Sequence, residues 1–472
     1  MPRAVVVGGG VAGLTGAMAL REAGYDVQVL DRDRQDPPAS VEAANTGWVR
    51  PTVPQALHSH SFTSLGNGIL RRHAPALHAA LLAAGAAELD LTTAMPPVVR
   101  ASPREPGDTE LTVLACRRRT FDAVLAGVVR RTGVPVRRGT AVRGLVFDAG
   151  RVAGVRLTGG GTVAADLVID ATGRRGESRR WLSEVDIPVA ADTVWPSRVT
   201  SFSRFYRGRG RGMPGTLNRG NAAGGVFDHY MAVVHPGDNG TFSIAIGVLP
   251  EDGVLKAVRD QRVFTALAAA TPYVDSWVRE EASEPVSPVY AMRCPDNVVR
   301  GVATTRQRPV PGLLQLGDAA CLTSPVYGRG VGLAMAHAYE LARLVAGCPE
   351  PGDEQSARAA MLAERLLVPW ARQGGRDDEE RVALWRATVY GAARPPAGDR
   401  LGLGDAAMAS MSDAVVWRGL ARVLMSLDSP GAFYDDPDIR SRVRAVLATR
   451  PAAVPTAADR DLVVRLVEKV AG

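Results

Sequence analysis

The sequence predicts an α/β fold: a Rossmann-type domain with an inserted β-sheet domain, followed by a C-terminal helical region. Three observations predict it. A short apolar run leads into Gly8-Gly9-Gly10-Val11-Ala12-Gly13 at the N-terminus. A second apolar run, far downstream, leads into Gly317-Asp318. Between them, residues 185–290 turn to strand-like stretches separated by turn residues.

Taken in order, residues 4–7 read as a buried parallel strand, because they are continuously apolar and bounded by glycine. Residues 11–23 read as the following helix, stopped at Gly24. Residues 26–30 alternate as a second strand ending at Asp31, which completes a βαβ unit. Residues 36–60 are loop-like and rich in proline, and 61–85 is helical with a break near Pro75. Residues 121–131 carry a helical apolar face. Residues 134–138, 141–147 and 151–157 read as hairpin strands, and 167–170 as a buried strand ending at Ala171-Thr172-Gly173. In the insertion, 199–207, 230–235 and 241–249 are strand-like. Residues 313–316 return to the first domain, and 330–346 form a long helix. The chain is mostly helical from 351 onward, with a Pro/Gly-containing break at 394–405. The expected division is 1–75, 111–182 and 291–350 for the nucleotide-binding domain, 76–110 and 183–290 for the substrate domain, and 351–472 for the helical region.

A chain of 472 residues can bury a large core, and 46% hydrophobic with 22% charged residues is ordinary for a globular protein. The net charge of +7 is carried almost wholly by arginine, since Lys256 and Lys469 are the only lysines. The basic clusters are short and not interleaved with aromatics, so solvated faces and phosphate contacts are expected rather than nucleic acid. A strand pattern begins at residue 4, which leaves no room for a signal peptide, and no apolar run is long enough to span a bilayer. A cytoplasmic location is expected. Cys116, Cys294, Cys321 and Cys348 are scattered and suggest neither a zinc site nor a disulfide framework, and the seven histidines show no ligand spacing. No metal is expected.

The chemistry follows from two glycine motifs. In Gly8-x-Gly10-x-x-Gly13, the first glycine makes the tight turn and the second lets the backbone approach a diphosphate. The third lets helix and strand pack closely, with Ala12 beside it on the first helical turn. Asp31 stands where a carboxylate would bind ribose hydroxyls, and Arg32 follows it. Downstream, Gly317-Asp318 offers a carboxylate to a polyol chain. Pro325-Val326-Tyr327-Gly328-Arg329-Gly330-Val331 then opens a second helix N-terminus. One motif for the diphosphate and another for the far end of the same cofactor point to FAD. Amides at the second helix would stabilise the negative charge of a reduced flavin.

With these motifs the chain resembles a flavoprotein monooxygenase of the para-hydroxybenzoate hydroxylase fold group. It is most similar in motifs to the actinobacterial FAD-dependent epoxidases of polyether-antibiotic pathways. The likeness rests on Gly8–Gly13 with Asp31, and on Arg50-x-x-Val53-Pro54-Gln55-x-x-His58-x-His60. It also rests on Ala115-Cys116-x-Arg118 leading to Asp122, on Asp166–Gly173, and on Gly312–Gly330. It implies that Arg50 and Arg118 contact FAD, Arg118 at the diphosphate, and that Asp170 and Gly173 lie beside the cofactor. Aromatic hydroxylases read Gly-Ala-Asp-Gly where this chain reads Asp170-Ala171-Thr172-Gly173. The displaced acidic residue counts against direct use of NADPH or NADH, so the expected electron donor is NADPH or NADH acting either directly or through a separate flavin reductase.

The resemblance further implies oxygen transfer from O2, through a flavin C4a-hydroperoxide, to a bulky apolar intermediate of secondary metabolism. Epoxidation is favoured over hydroxylation. No side chain is assigned a catalytic role with certainty. His58 and Tyr327 are candidates near the flavin, with a structural role as the other reading of the histidine. Phe202, Phe205, Phe227, Tyr230 and Phe242 are candidate pocket residues on the insertion. Three alternatives are a halogenase, an alkene reductase of the same fold and a non-catalytic flavin carrier. A halogenase would need an active-site lysine in the N-terminal portion and a Trp-x-Trp-x-Ile-Pro motif, and Val194-Trp195-Pro196 is a poor partial match.

Overall fold

Five parallel strands form the base of the molecule in this computed structural model, which describes residues 1–394, 400–449 and 459–471. Their order is Leu313–Gln315, Leu167–Asp170, Arg3–Val7, Asp26–Leu30, Val136–Arg137. Strand Arg3–Val7 is central, paired in register with Asp26–Leu30 on one side and Leu167–Asp170 on the other. Its continuous apolar run serves both faces of the sheet. Ala4 and Val6 join the cluster made with Leu14 and Met18 of helix Val11–Glu22 and Met335 of helix Gly330–Gly347. Val5 and Val7 face the other way, against Leu145, Val152 and Val155 of an antiparallel meander formed by residues 142–164.

The insertion is built on a six-stranded antiparallel sheet. Strands 223–226, 231–236, 241–248, 200–208 and 283–285 lie side by side, and 290–293 pairs with the other end of 200–208. Alternation splits this sheet into two faces. Phe202, Tyr206, Phe242, Ile244 and Ile246 pack against Phe264 and Leu267 of helix Gln261–Ala269. The last described helix, Arg460–Ala471, inserts Val463 and Val467 into the same core.

Helix Asp353–Tyr390 runs for 38 residues, or roughly 57 Å at 1.5 Å per residue. Its Leu367, Trp370 and Ala371 join Val416, Leu420, Phe433 and Val443 of the shorter C-terminal helices in a separate core.

The main departures from the sequence reading have local causes. Residues 36–60 contain a helix, Val41–Thr46, because Ser40 Oγ accepts from the Ala43 N–H at 3.2 Å and caps it. The sheet-rich insertion also contains helix Gln261–Ala269, started by Asp260, whose carboxylate accepts from Arg262 N and Val263 N. The strand expected at 134–138 shrinks to Val136–Arg137 at the edge of the sheet. The expected break at 394–405 falls partly on residues 395–399, which lie outside the described residues; helix Leu403–Ser410 begins just after it.

Candidate functional site

One cavity of about 1940 Å³ runs from the Gly8–Ala12 turn, under the six-stranded sheet, to the C-terminal helices. Its volume exceeds the roughly 300–1,000 Å³ of an ordinary ligand pocket, which leaves room for a large cofactor and a second molecule.

The glycine turn is shaped by contact. Gly8 has φ +118°, and a Cβ there would stand 2.3 Å from the Ala171 carbonyl oxygen. A Cβ on Gly13 would stand 1.9 Å from the Gly8 carbonyl oxygen, so strand and helix touch backbone to backbone. A Cβ on Gly10 would meet nothing within 4 Å, and Gly10 lines the cavity. The first and third glycines are thus required by close packing. The second presents bare backbone at the N-terminus of a 12-residue helix.

Beside this turn lies a buried charge network. Arg50 donates from Nη1 to Asp122 Oδ2 at 3.0 Å, from Nε to Asp33 Oδ2 at 3.3 Å and from Nη2 to the Gly9 carbonyl at 3.0 Å. Its guanidinium also lies 5.0 Å from the centre of the Trp48 ring. Arg118 donates from Nε to Asp122 Oδ1 at 2.7 Å. Asp31 is paired with Arg138 at 2.8 Å and lies 3.8 Å from Arg50. Asp31, Arg32, Arg50 and Arg118 all line the cavity.

Two histidines join this network to the sheet. A guanidinium can only donate, so Arg118 Nη1 donates to His60 Nε2 at 3.2 Å. The His60 proton is then on Nδ1, donated to the His58 carbonyl at 2.9 Å. Burial and the Arg118 charge push His60 down to about 3. His58 Nδ1 lies 3.2 Å from Ser203 Oγ on the sheet, and burial with Arg174 pushes it down to about 4. Both rings are therefore neutral at physiological pH, and neither is a cationic acid.

At the far end, Asp318 lines the cavity and has no hydrogen-bond or ion-pair partner among the described residues. Burial raises it to about 6 against the pull of Arg118, Arg174 and Arg300. The turn at 325–330 then starts the 18-residue helix Gly330–Gly347, with Pro325, Gly328, Gly330 and Val331 on the cavity. Tyr327 also lines it, and its hydroxyl donates to Asp378 Oδ1 at 3.2 Å. Asp378 also accepts from Asn297 Nδ2 at 3.0 Å and from Arg381 Nη2 at 2.8 Å. The long C-terminal helix is thus tied to this turn.

Other expected site residues stand elsewhere. Asp170 is fully buried and off the cavity; it accepts from the N–H and hydroxyl groups of both Thr172 and Ser178. It holds the turn after its strand, while Thr172, Gly173 and Arg174 reach the cavity. Gly317 packs against Ala12, where a Cβ would stand 2.7 Å from the Ala12 Cβ, and only its neighbour Asp318 faces the cavity.

Among the pocket candidates, Phe227 lines the cavity, whereas Phe202, Tyr230 and Phe242 belong to the core behind the sheet. Phe205 is half-buried and outside the lining. The cavity face of the sheet instead carries Ser201, Ser203, Met231, Val233, His235 and Ala245. Sequence reasoning selected by hydrophobicity, and the more hydrophobic face of this sheet is the one against helix Gln261–Ala269. It also missed the C-terminal wall of Trp417, Leu424 and Met425, because nothing local in those helices marks a site.

The residues present fit FAD. Bare backbone and a helix N-terminus would meet a diphosphate at Gly10. Arg118 and Arg174 would supply positive charge, Asp318 would offer its carboxylate to a ribityl chain, and the 325–331 turn would offer amides to a flavin edge. Asp31 fits the ribose less simply, because Arg138 already holds its Oδ2.

Residues 3–99 match the family model described as FAD dependent oxidoreductase, and residues 98–180 match the one described as tryptophan halogenase. Similar solved structures include a flavin-dependent brominase, at 16% identity and TM-score 0.62, covering 95% of this chain and 98% of that one. A flavoprotein/dehydrogenase from Cytophaga hutchinsonii aligns at 14% identity and TM-score 0.63, covering 95% and 99%. A probable FAD-dependent monooxygenase from Pseudomonas aeruginosa aligns at 16% identity and TM-score 0.56, covering 83% and 100%. No curated protein matches the sequence. The chain has the fold of FAD-dependent oxidoreductases. No helix among the described residues is long and apolar enough to cross a membrane.

Proposed function

We propose that this chain is an FAD-dependent monooxygenase, placing one oxygen atom from O2 into a small-molecule substrate with a large apolar body. Epoxidation of a carbon–carbon double bond stands ahead of hydroxylation. The observation that carries the reading is the single cavity joining the Gly8–Gly13 turn, the Asp318–Val331 segment and the sheet wall. When bound there, FAD would supply the reduction of O2 and the oxygen for transfer.

The chain's own residues hold, orient and enclose. Gly10 and the helix behind it receive the diphosphate, and Arg118, fixed by Asp122 and His60, adds charge beside it. Asp318 and the 325–331 turn orient the far end. The sheet wall and the C-terminal helices cover the cavity and limit the access of water, which would divert the oxygen. Neutral His58 and His60 suit a reaction in which the protein contributes little acid–base work.

A halogenase working through an active-site lysine is disfavoured. Both lysines, Lys256 and Lys469, are exposed, and neither lines the cavity. Electrons come from NADPH or NADH, directly or through a separate reductase.

The test is anaerobic reduction of the FAD-loaded protein, then rapid mixing with isotopically labelled O2, with absorbance and product mass recorded. A transient distinct from the oxidised and reduced spectra, and one labelled oxygen in a product, is the expected result. Direct reoxidation, with hydrogen peroxide as the sole oxygen product across a panel of alkenes and electron-rich rings, sinks the reading and favours a reductase or carrier.

A further inference from the structure

The sheet wall of the cavity carries three polar side chains without partners. Arg219, Asn221 and His235 all line the cavity. None of the three side chains makes a hydrogen bond or ion pair with the described chain. Arg219 leaves the loop before strand 223–226 and lies over that strand, where a Cβ on Gly225 would stand 3.2 Å from its Nη2. Arg219 keeps an exposed side chain on the cavity, and no carboxylate acts against the desolvation that lowers its pKa. The Arg219 charge in turn helps to hold His235 down at about 4, so the imidazole is neutral.

This patch contrasts with the two arginines beside the glycine turn. Arg50 and Arg118 are each held by Asp122. Much of the surrounding lining is apolar: Leu91, Pro96, Met231, Val233, Trp417 and Met425. A guanidinium on a cavity wall with no carboxylate beside it is open to pairing with an anionic ligand group. Its planar fork suits a carboxylate held by two parallel hydrogen bonds. Asn221 and His235 can each give a further N–H to the same group.

We propose that the cavity takes an amphipathic carboxylate, its anionic head held by Arg219 with Asn221 and His235, its apolar body lying along the C-terminal wall. This rests on the preceding reading in taking that part of the cavity as the substrate chamber. It narrows the substrate from an apolar molecule to an apolar acid.

The experiment is calorimetric titration of the FAD-loaded protein with short and long alkanoates and arylalkanoates, each compared with its methyl ester. For the acids that fit, affinity should exceed that of the ester on the order of 10- to 100-fold, the worth of a charge-assisted hydrogen bond. Arg219→Gln should bring acid and ester together while leaving ester binding in place, which also shows that the variant is folded. Arg219→Lys should keep part of the preference. The proposal is overturned if no acid binds the wild-type protein more tightly than its ester, or if Arg219→Gln retains the preference. It is also overturned if the preference exists in FAD-free protein and vanishes on loading, because Arg219 would then serve the cofactor. Binding is scored without turnover, so failure to oxygenate would sink the monooxygenase reading and leave this result standing.

Discussion

The two ends of the cavity are built on opposite principles. At the Gly8–Gly13 end, charge is dense and cross-linked: Asp122 bridges Arg50 and Arg118, while Asp31 and Asp33 hold further sides of the same cluster. On the sheet wall, Arg219, Asn221 and His235 line the cavity with no side-chain partner among the described residues. The contrast separates two tasks. The first end keeps a fixed shape with or without a ligand, because its charges satisfy one another. The second leaves polar groups unsatisfied, and a ligand completes them.

The largest effects should come from damage to buried ion pairs and to the core. Asp122→Ala removes the carboxylate shared by two buried arginines, leaves Arg118 without an ion-pair partner, and should cost about 3–5 kcal/mol in urea unfolding. Phe242→Ala, behind the sheet, should cost a similar 3–5 kcal/mol through the void it leaves. Phe242→Ala should leave the acid-over-ester preference unchanged; if that preference moves, the two faces of the sheet are not independent.

Next comes Gly13→Ala, which forces a Cβ against the Gly8 carbonyl oxygen. It should cost about 1–3 kcal/mol and reduce FAD retention on gel filtration. Retention equal to wild type would show that the turn yields, contrary to its close packing.

Asp318 gives a pH test. Its folded value of about 6 stands above the ordinary 3.8, so the folded protein binds more protons than the unfolded chain between those values. Stability of the FAD-free protein should fall as pH rises through that window, with the full cost present above about 6. Asp318→Asn should therefore stabilise the FAD-free protein above pH 6 and change it little near pH 4, while weakening FAD binding roughly tenfold. Thermal unfolding at both pH values checks the first expectation, and fluorescence titration with FAD checks the second.

The smallest effect should be at His58. At about 4 it lies below its ordinary 6.5, so its contribution to stability is present above pH 6.5 and is lost as pH falls toward 4. His58→Gln should leave the pH profile of reoxidation unchanged from pH 6 to 8. A lost ionisation in that range would return His58 to the list of catalytic groups.

The nucleotide end was legible in the chain because its signals are local. Gly8, Gly10 and Gly13 fall within one turn, and their three roles reappear as two steric contacts and one open face. Asp31 ends the next strand. Strands 151–157 and 167–170 were also placed by pattern alone, since each is a short apolar or alternating run bounded by turn residues. Asp170 shows where such reading fails. A carboxylate at a strand end beside a cofactor motif suggests a ligand contact, yet four donors on Thr172 and Ser178 turn it inward.

By itself, the sequence determined the βαβ unit, the return of the chain at Leu313–Asp318 and the sheet character of the insertion, because periodicity and glycine spacing are properties of neighbouring residues. Only the tertiary structure decided which face of the six-stranded sheet meets the cavity. A strand's pattern says that it has two faces and not what each will face. The pairing of Arg50 with Asp122, the isolation of Arg219 and the closing of the cavity by Trp417 and Met425 were settled in the same way. Each depends on distances between residues far apart in the chain, which are set when separate cores pack together.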